Sequence, residues 1–135
     1  MNMRKVDYTK LNSRQQEIFN FQKVAAVLAE YGFNCIQLRD DWQGADFLAY
    51  HMEGKNTLKV QLKGRLTIDK KYKGKKLYVA FPMGGHWYLI EHDELIKKVK
   101  LYTDWLDSTS WKENGNYHSA KPPVKLIQQL AGQKL

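Results

Sequence analysis

Apolar residues recur at spacings of three and four through Ile18, Phe21, Val24, Ala25, Leu28 and Tyr31, which predicts a helix over 13–31 with one apolar face. Ser13 is placed to cap it with Gln16 as its capping-box partner, and Gly32 supplies the stop. The pattern then shortens. Phe33–Arg39 and Asp46–Met52 read as strands joined by the turn-forming run Asp40-Asp41-Trp42-Gln43-Gly44. Beyond a second turn at Glu53-Gly54-Lys55-Asn56, a third strand is expected over 57–66, with Leu58, Val60 and Leu62 on one face and Lys59, Gln61, Lys63 and Arg65 on the other. A polar loop over 67–75 leads to strands at 76–81 and 86–91, parted by Pro82 and Gly84-Gly85. A helix over 93–102 follows, with Leu95, Ile96 and Val99 as its apolar stripe. An aromatic, irregular stretch then precedes a last helix, opened by Pro122-Pro123 and running to about Leu130. The expected class is α/β: a mixed sheet, an N-terminal helix packed on it, and further helices after the fifth strand.

Composition narrows this picture. At 135 residues with 43% hydrophobic side chains, the chain suits one domain with one core, residues 1–135, in which about 13–102 form the body and about 103–135 an extension. No apolar run approaches the roughly 20 residues that span a bilayer, and the first residues lack the apolar segment of a secretory signal. No membrane association and a cytoplasmic location are therefore expected. Cys35 is the single cysteine, so an internal disulfide and a multi-cysteine metal site are excluded. It reads as a small buried residue rather than a nucleophile.

Charge adds a partner class. The formal net charge is +8, and Lys55–Lys76 holds nine basic residues against the single acid Asp69. Such a block favours a polyanion, nucleic acid before an anionic membrane; the alternative is a solvated loop that aids solubility. Lys59, Arg65, Lys70, Lys71, Lys73, Lys75 and Lys76 are the candidate phosphate contacts.

The candidate chemistry lies in Asp46 and Gln61-Leu62-Lys63. Gln61 and Lys63 are two apart on one strand and share a face, and pairing through the turn at Gly54 brings Asp46 toward Gln61. A carboxylate and an amide carbonyl are hard oxygen donors. With water they suit Mg²⁺, which needs few protein ligands. A neighbouring lysine can orient or deprotonate a water and offset phosphate charge. The alternative is a solvent-facing strand with ordinary lysines.

Together the first helix, Gly44-Ala45-Asp46-Phe47 and Val60-Gln61-Leu62-Lys63-Gly64-Arg65 resemble the PD-(D/E)XK nuclease superfamily, which includes restriction endonucleases, Holliday-junction resolvases and some intron-encoded endonucleases. The resemblance covers Gln15 to Glu91. It implies a restriction-endonuclease-like mixed sheet and hydrolysis of DNA phosphodiesters with Mg²⁺ or Mn²⁺. It places Asp46 as the acid opening the second core strand, with Gln61 and Lys63 at the first and last positions of the (D/E)XK element. It also matches Glu17 to a helix carboxylate that adds to the metal site; the other reading of Glu17 is a first-turn acid favoured by the helix dipole. Two departures stand out: Gln61 replaces an acid and brings no charge, and Ala45 replaces proline. A non-catalytic nucleic-acid-binding module is the alternative function, and a subunit of a larger machine is a third. A homodimer is expected of a small nuclease that cuts both strands.

Other residues read as structural. Asp40 and Asp41 suit a turn better than a metal site. His51, His86, His92 and His118 lack zinc-ligand spacing. Trp105, Trp111, Tyr102 and Tyr117 suit a loop pinned to the core, with stacking on unpaired bases as the alternative.

Overall fold

The computed structural model describes residues 1–135. Helix α1 spans Ser13–Ala29. Its cap is Asn12, one residue before the expected Ser13: the Asn12 side chain accepts from the Gln15 N–H at 2.8 Å, and Gln15 Oε1 accepts from the Asn12 N–H at 3.0 Å. Asparagine and glutamine form the reciprocal box as Ser13 and Gln16 were expected to. Gly32 closes the segment at φ +87°, a left-handed conformation that glycine adopts without strain.

Five strands form the main sheet: β1 (Phe33–Trp42), β2 (Ala45–His51), β3 (Thr57–Leu62), β5 (Tyr78–Met83) and β6 (His86–Glu91), in the spatial order β1-β2-β3-β5-β6. Strands β3 and β5 are parallel and the other neighbours antiparallel. Strand β1 is longer than expected. The connection to β2 is a two-residue turn at Gln43-Gly44, both at positive φ, so Asp40, Asp41 and Trp42 stay in the strand rather than forming a turn.

The third strand ends earlier than its alternation suggests. β3 stops at Leu62, and the chain breaks away through Lys63-Gly64-Arg65. Residues expected to be a polar loop form a further strand, β4 (Leu66–Asp69), and a single 3₁₀ turn over Lys70–Tyr72. β4 pairs antiparallel with β7 (Asn116–Ser119), a strand from the stretch expected to be irregular, and the two make a separate small sheet. A parallel pair needs a crossover, and residues 63–77 supply it between β3 and β5. Seven of the basic residues, Lys63 to Lys76, therefore ride on one connection.

Helix α2 (His92–Tyr102) and the short α3 (Val124–Gln129) follow β6. The central strands are buried on both faces. Val24 and Leu28 of α1 pack on Phe47, Ala49, Val60, Leu62 and Ala80. The opposite face packs Val79 and Phe81 against Leu66, Ile68, Leu95, Val99 and Leu126. Trp105 and Trp111, at 6% and 7% exposure, belong to this second core, and Trp105 stacks on Tyr117 at 4.6 Å between ring centroids. These rings close the core and are not free to stack on bases. The fold is mixed α/β as expected, with a five-stranded sheet, an N-terminal helix on one face and helices after the last sheet strand. No helix is long and apolar enough to cross a membrane.

Candidate functional site

Strand pairing brings Asp46 and Gln61 together. Phe47 lies opposite Val60 and Leu48 opposite Lys59, which sets Asp46 beside Gln61 on neighbouring strands. Gln61 Nε2 donates to Asp46 Oδ2 at 2.8 Å, and the Leu62 backbone N–H donates to the same oxygen at 2.8 Å. Both of these bonds go to Oδ2 and neither to Oδ1. Gln61 is 8% exposed, and its Oε1 is buried with no hydrogen-bond partner. A buried, unpartnered carbonyl oxygen carries a desolvation cost that a cation or a bound water relieves. On the other side of Asp46 the β1–β2 register slips: Gln37 faces Phe47 and Trp42 faces Ala45, so the extra residues of β1 bulge opposite Asp46. Bulges of this kind often stand next to sites because they interrupt the ladder.

Lys63 extends the site by one step. Its backbone N–H donates to Ala80 O at 2.9 Å, which holds it at the end of the β3–β5 ladder. Its ammonium lies 5.5 Å from the centroid of the buried Tyr72 ring, and Lys71 lies 5.3 Å from the same ring. Burial pushes the Lys63 ammonium below its ordinary pKa and nearby Lys71 adds to this, while Asp46, Asp69 and Asp41 oppose it. Burial pushes the Asp46 carboxyl above its ordinary value. The Leu62 N–H opposes this, Glu17 adds to it, Lys63 opposes it and Asp41 adds to it. The Tyr72 hydroxyl is pushed up by burial and by the charges of Asp69, Asp46 and Asp41.

Glu17 reaches the site from α1. With Lys63, Gly64, Tyr8, Gln16 and Asn20 it lines a cleft of about 180 Å³. It makes a surface ion pair with Arg14 at 3.5 Å and no direct bond to Asp46 or Gln61. No group of three His, Cys, Asp or Glu side chains is placed to hold a metal ion. The oxygen-bearing side chains here are the Asp46 carboxylate and the Gln61 amide, with Glu17 on the wall of the adjoining cleft.

The other expected residues are spread more widely. Lys59 Nζ donates to Gln43 Oε1 at 3.0 Å beside the β1–β2 turn. Arg65 was expected on the Gln61 face, but it lies beyond the end of β3 and is exposed, because the strand alternation stops at Leu62. Lys70 lies over the Trp111 ring at 5.4 Å. Lys71 pairs with Asp69 at 3.8 Å. Lys73, Lys75 and Lys76 are exposed, and Lys76 holds a positive φ of 53°. Three participants were not read as site residues from sequence. Asp41 acts on Asp46 and Lys63 through its charge. Tyr72 is 3% exposed against Lys63, and it is the one aromatic ring inside the basic run. Asn20 donates to the Tyr8 hydroxyl at 2.8 Å; a polar residue on the apolar face of α1 was the available signal.

The fold, though not the sequence, is similar to that of a solved protein. A solved bacterial homing endonuclease, I-Ssp6803I, superposes with a TM-score of 0.52 over 91% of this chain and 86% of its own, at 13% sequence identity. The sequence matches no family model, and no curated protein matches it.

Proposed function

We propose that this protein is a metal-dependent endonuclease that hydrolyses phosphodiester bonds in DNA, of the PD-(D/E)XK kind that its motifs resemble. The observation that carries this reading is the junction of Asp46, Gln61 and Lys63 at the end of β3, with Gln61 Oε1 buried and unpartnered. Likeness of fold to a homing endonuclease supports it.

In this reading Asp46 and Gln61 would hold Mg²⁺ or Mn²⁺, with Glu17 assisting through water. The cation supplies Lewis-acid stabilisation of the charge that builds on the phosphoryl oxygens. Lys63 Nζ orients the attacking water. Its depressed pKa makes the neutral amine easier to reach, so it can also accept a proton from that water. Lys71, close enough to act on Lys63, offsets phosphate charge. Exposed Lys73, Lys75 and Lys76, with Lys59, Arg65 and Lys70, grip the backbone without reading sequence. Two copies of the chain would present two such sites for double-strand cutting.

The neutral Gln61 favours one competing reading, a DNA-binding module without catalysis. Nicking of supercoiled plasmid separates the two. The nuclease reading requires nicks with Mg²⁺ or Mn²⁺ and none with EDTA; intact plasmid under both conditions leaves the binding module.

A further inference from the structure

A second hollow opens beside the candidate cleft. Its volume is about 310 Å³, and Tyr8, Asn20 and Gly64 line both spaces, so the two are adjacent. Its walls carry three aromatic rings, Tyr8, Phe19 and Trp87. Tyr8 and Phe19 are tilted against each other at 5.3 Å, and the Lys23 ammonium lies 5.3 Å from the Phe19 centroid. His86 stands exposed at its mouth, and no acid lines it. A Cβ built at Gly64 or at Gly85 meets nothing within 4 Å, so both glycines border open space.

We propose that this hollow takes an unpaired nucleobase of the DNA strand whose phosphate lies in the adjoining cleft. The preferred substrate would then be DNA with at least one unpaired nucleotide beside the cut. The inference rests on reading the adjoining cleft as the place where a phosphodiester is held. Four features select this occupant. Aromatic walls stack on the π-face of any base, and such stacking is tolerant of sequence. A volume at the low end of ligand pockets suits one flat heterocycle. Lys23 and the absence of acids in the hollow suit a polyanionic strand. Adjacency to the cleft, through the shared walls Tyr8, Asn20 and Gly64, suits a base and a phosphate of one strand. A base held in a duplex stack cannot enter the hollow, whereas one already unpaired enters without the cost of unstacking.

The test is binding, measured by fluorescence anisotropy in EDTA so that no strand is cut. The probes are a fluorescein-labelled duplex with a single unpaired adenosine bulge and the fully paired duplex of the same sequence. The bulged probe should bind about tenfold more tightly, a factor within the range of one stacked base. In Phe19→Ala that preference should fall to about threefold or less. Phe19→Leu keeps the apolar packing of α1 without the ring and should lose the preference equally. Equal affinities in the parent, or a full preference retained in folded Phe19→Leu, overturns the proposal. Cutting is scored separately: a protein that prefers the bulge but never cuts keeps the base site and loses the nuclease reading. One that cuts with no preference loses the base site alone.

Discussion

Asp46 holds Gln61 through one oxygen: Oδ2 accepts both the Gln61 amide and the Leu62 N–H, each at 2.8 Å. The amide must therefore point its NH₂ at Asp46, which turns Oε1 away from it, into a buried position with no partner. Gln61→Glu replaces that donor with a second carboxylate against the first. Without a cation the variant should lose about 1–3 kcal/mol of stability, from the lost charge-assisted bond and the like-charge contact. Mn²⁺ should then raise its Tm more than it raises the parent's. Thermal unfolding with and without Mn²⁺ checks this, and identical Mn²⁺ shifts in both proteins count against a cation at this position.

Glu17 offers a cleaner separation of structure from chemistry. Its ion pair with Arg14 is exposed and long, so Glu17→Gln should cost no more than about 0.5 kcal/mol in denaturant titrations. Cleavage should nonetheless fall about 10- to 100-fold, as for a group that supports a metal site from outside its direct ligands. Stability and cleavage falling in proportion would assign it a structural role only.

The basic crossover should set salt dependence. Lys73, Lys75 and Lys76 are exposed. Their joint replacement by alanine should flatten the slope of log K against log salt by about 0.9 for each lysine that contacts a phosphate. Any sequence preference should be unaffected. An unchanged slope removes these lysines from the interface.

His92 predicts a pH dependence of folding. It is fully buried, and its Nε2 accepts from the Asp69 N–H at 3.0 Å, so that nitrogen is unprotonated in the fold. Burial pushes its pKa below the ordinary value, while Asp93, 3.6 Å from Nδ1, opposes this. The folded pKa is thus below the unfolded one. The stabilisation is complete above about pH 6.5, the unfolded value, and is lost as pH falls toward the folded pKa. The slope reaches at most about 1.4 kcal/mol per pH unit. Denaturant midpoints measured from pH 8 downward should show this fall in the parent and a flatter profile in His92→Gln, whose amide oxygen can still accept from Asp69.

Much of this was legible in the chain, and for identifiable reasons. The three-four spacing from Ile18 to Leu28 is local, and α1 follows it to within a residue at its start. Gly84-Gly85 marked its hairpin because both residues adopt positive φ. Asp46 and Gln61 could be brought together on paper because one short turn joins their strands. What failed depends on distant partners. Arg65 continues the alternation of β3 in sequence, yet the strand ends at Leu62 because the next hydrogen-bonded partner of this segment is β7, some fifty residues on. Trp105 and Trp111 pin a loop to the core as expected, but the β4–β7 pairing beside them was not legible locally. Asp41 reads as turn chemistry because nothing local reveals the two-residue turn that leaves it in β1, where its charge reaches Asp46.

Asp46→Asn tests the central claim most directly, since it keeps the side chain's shape and an oxygen for the Leu62 N–H while removing the charge that would hold a cation. The purified variant and the parent are compared on supercoiled plasmid with Mg²⁺ or Mn²⁺, and on labelled duplex for binding. Loss of nicking by at least about 100-fold with DNA affinity retained is the predicted result. A variant that nicks as fast as the parent contradicts the assignment of this site.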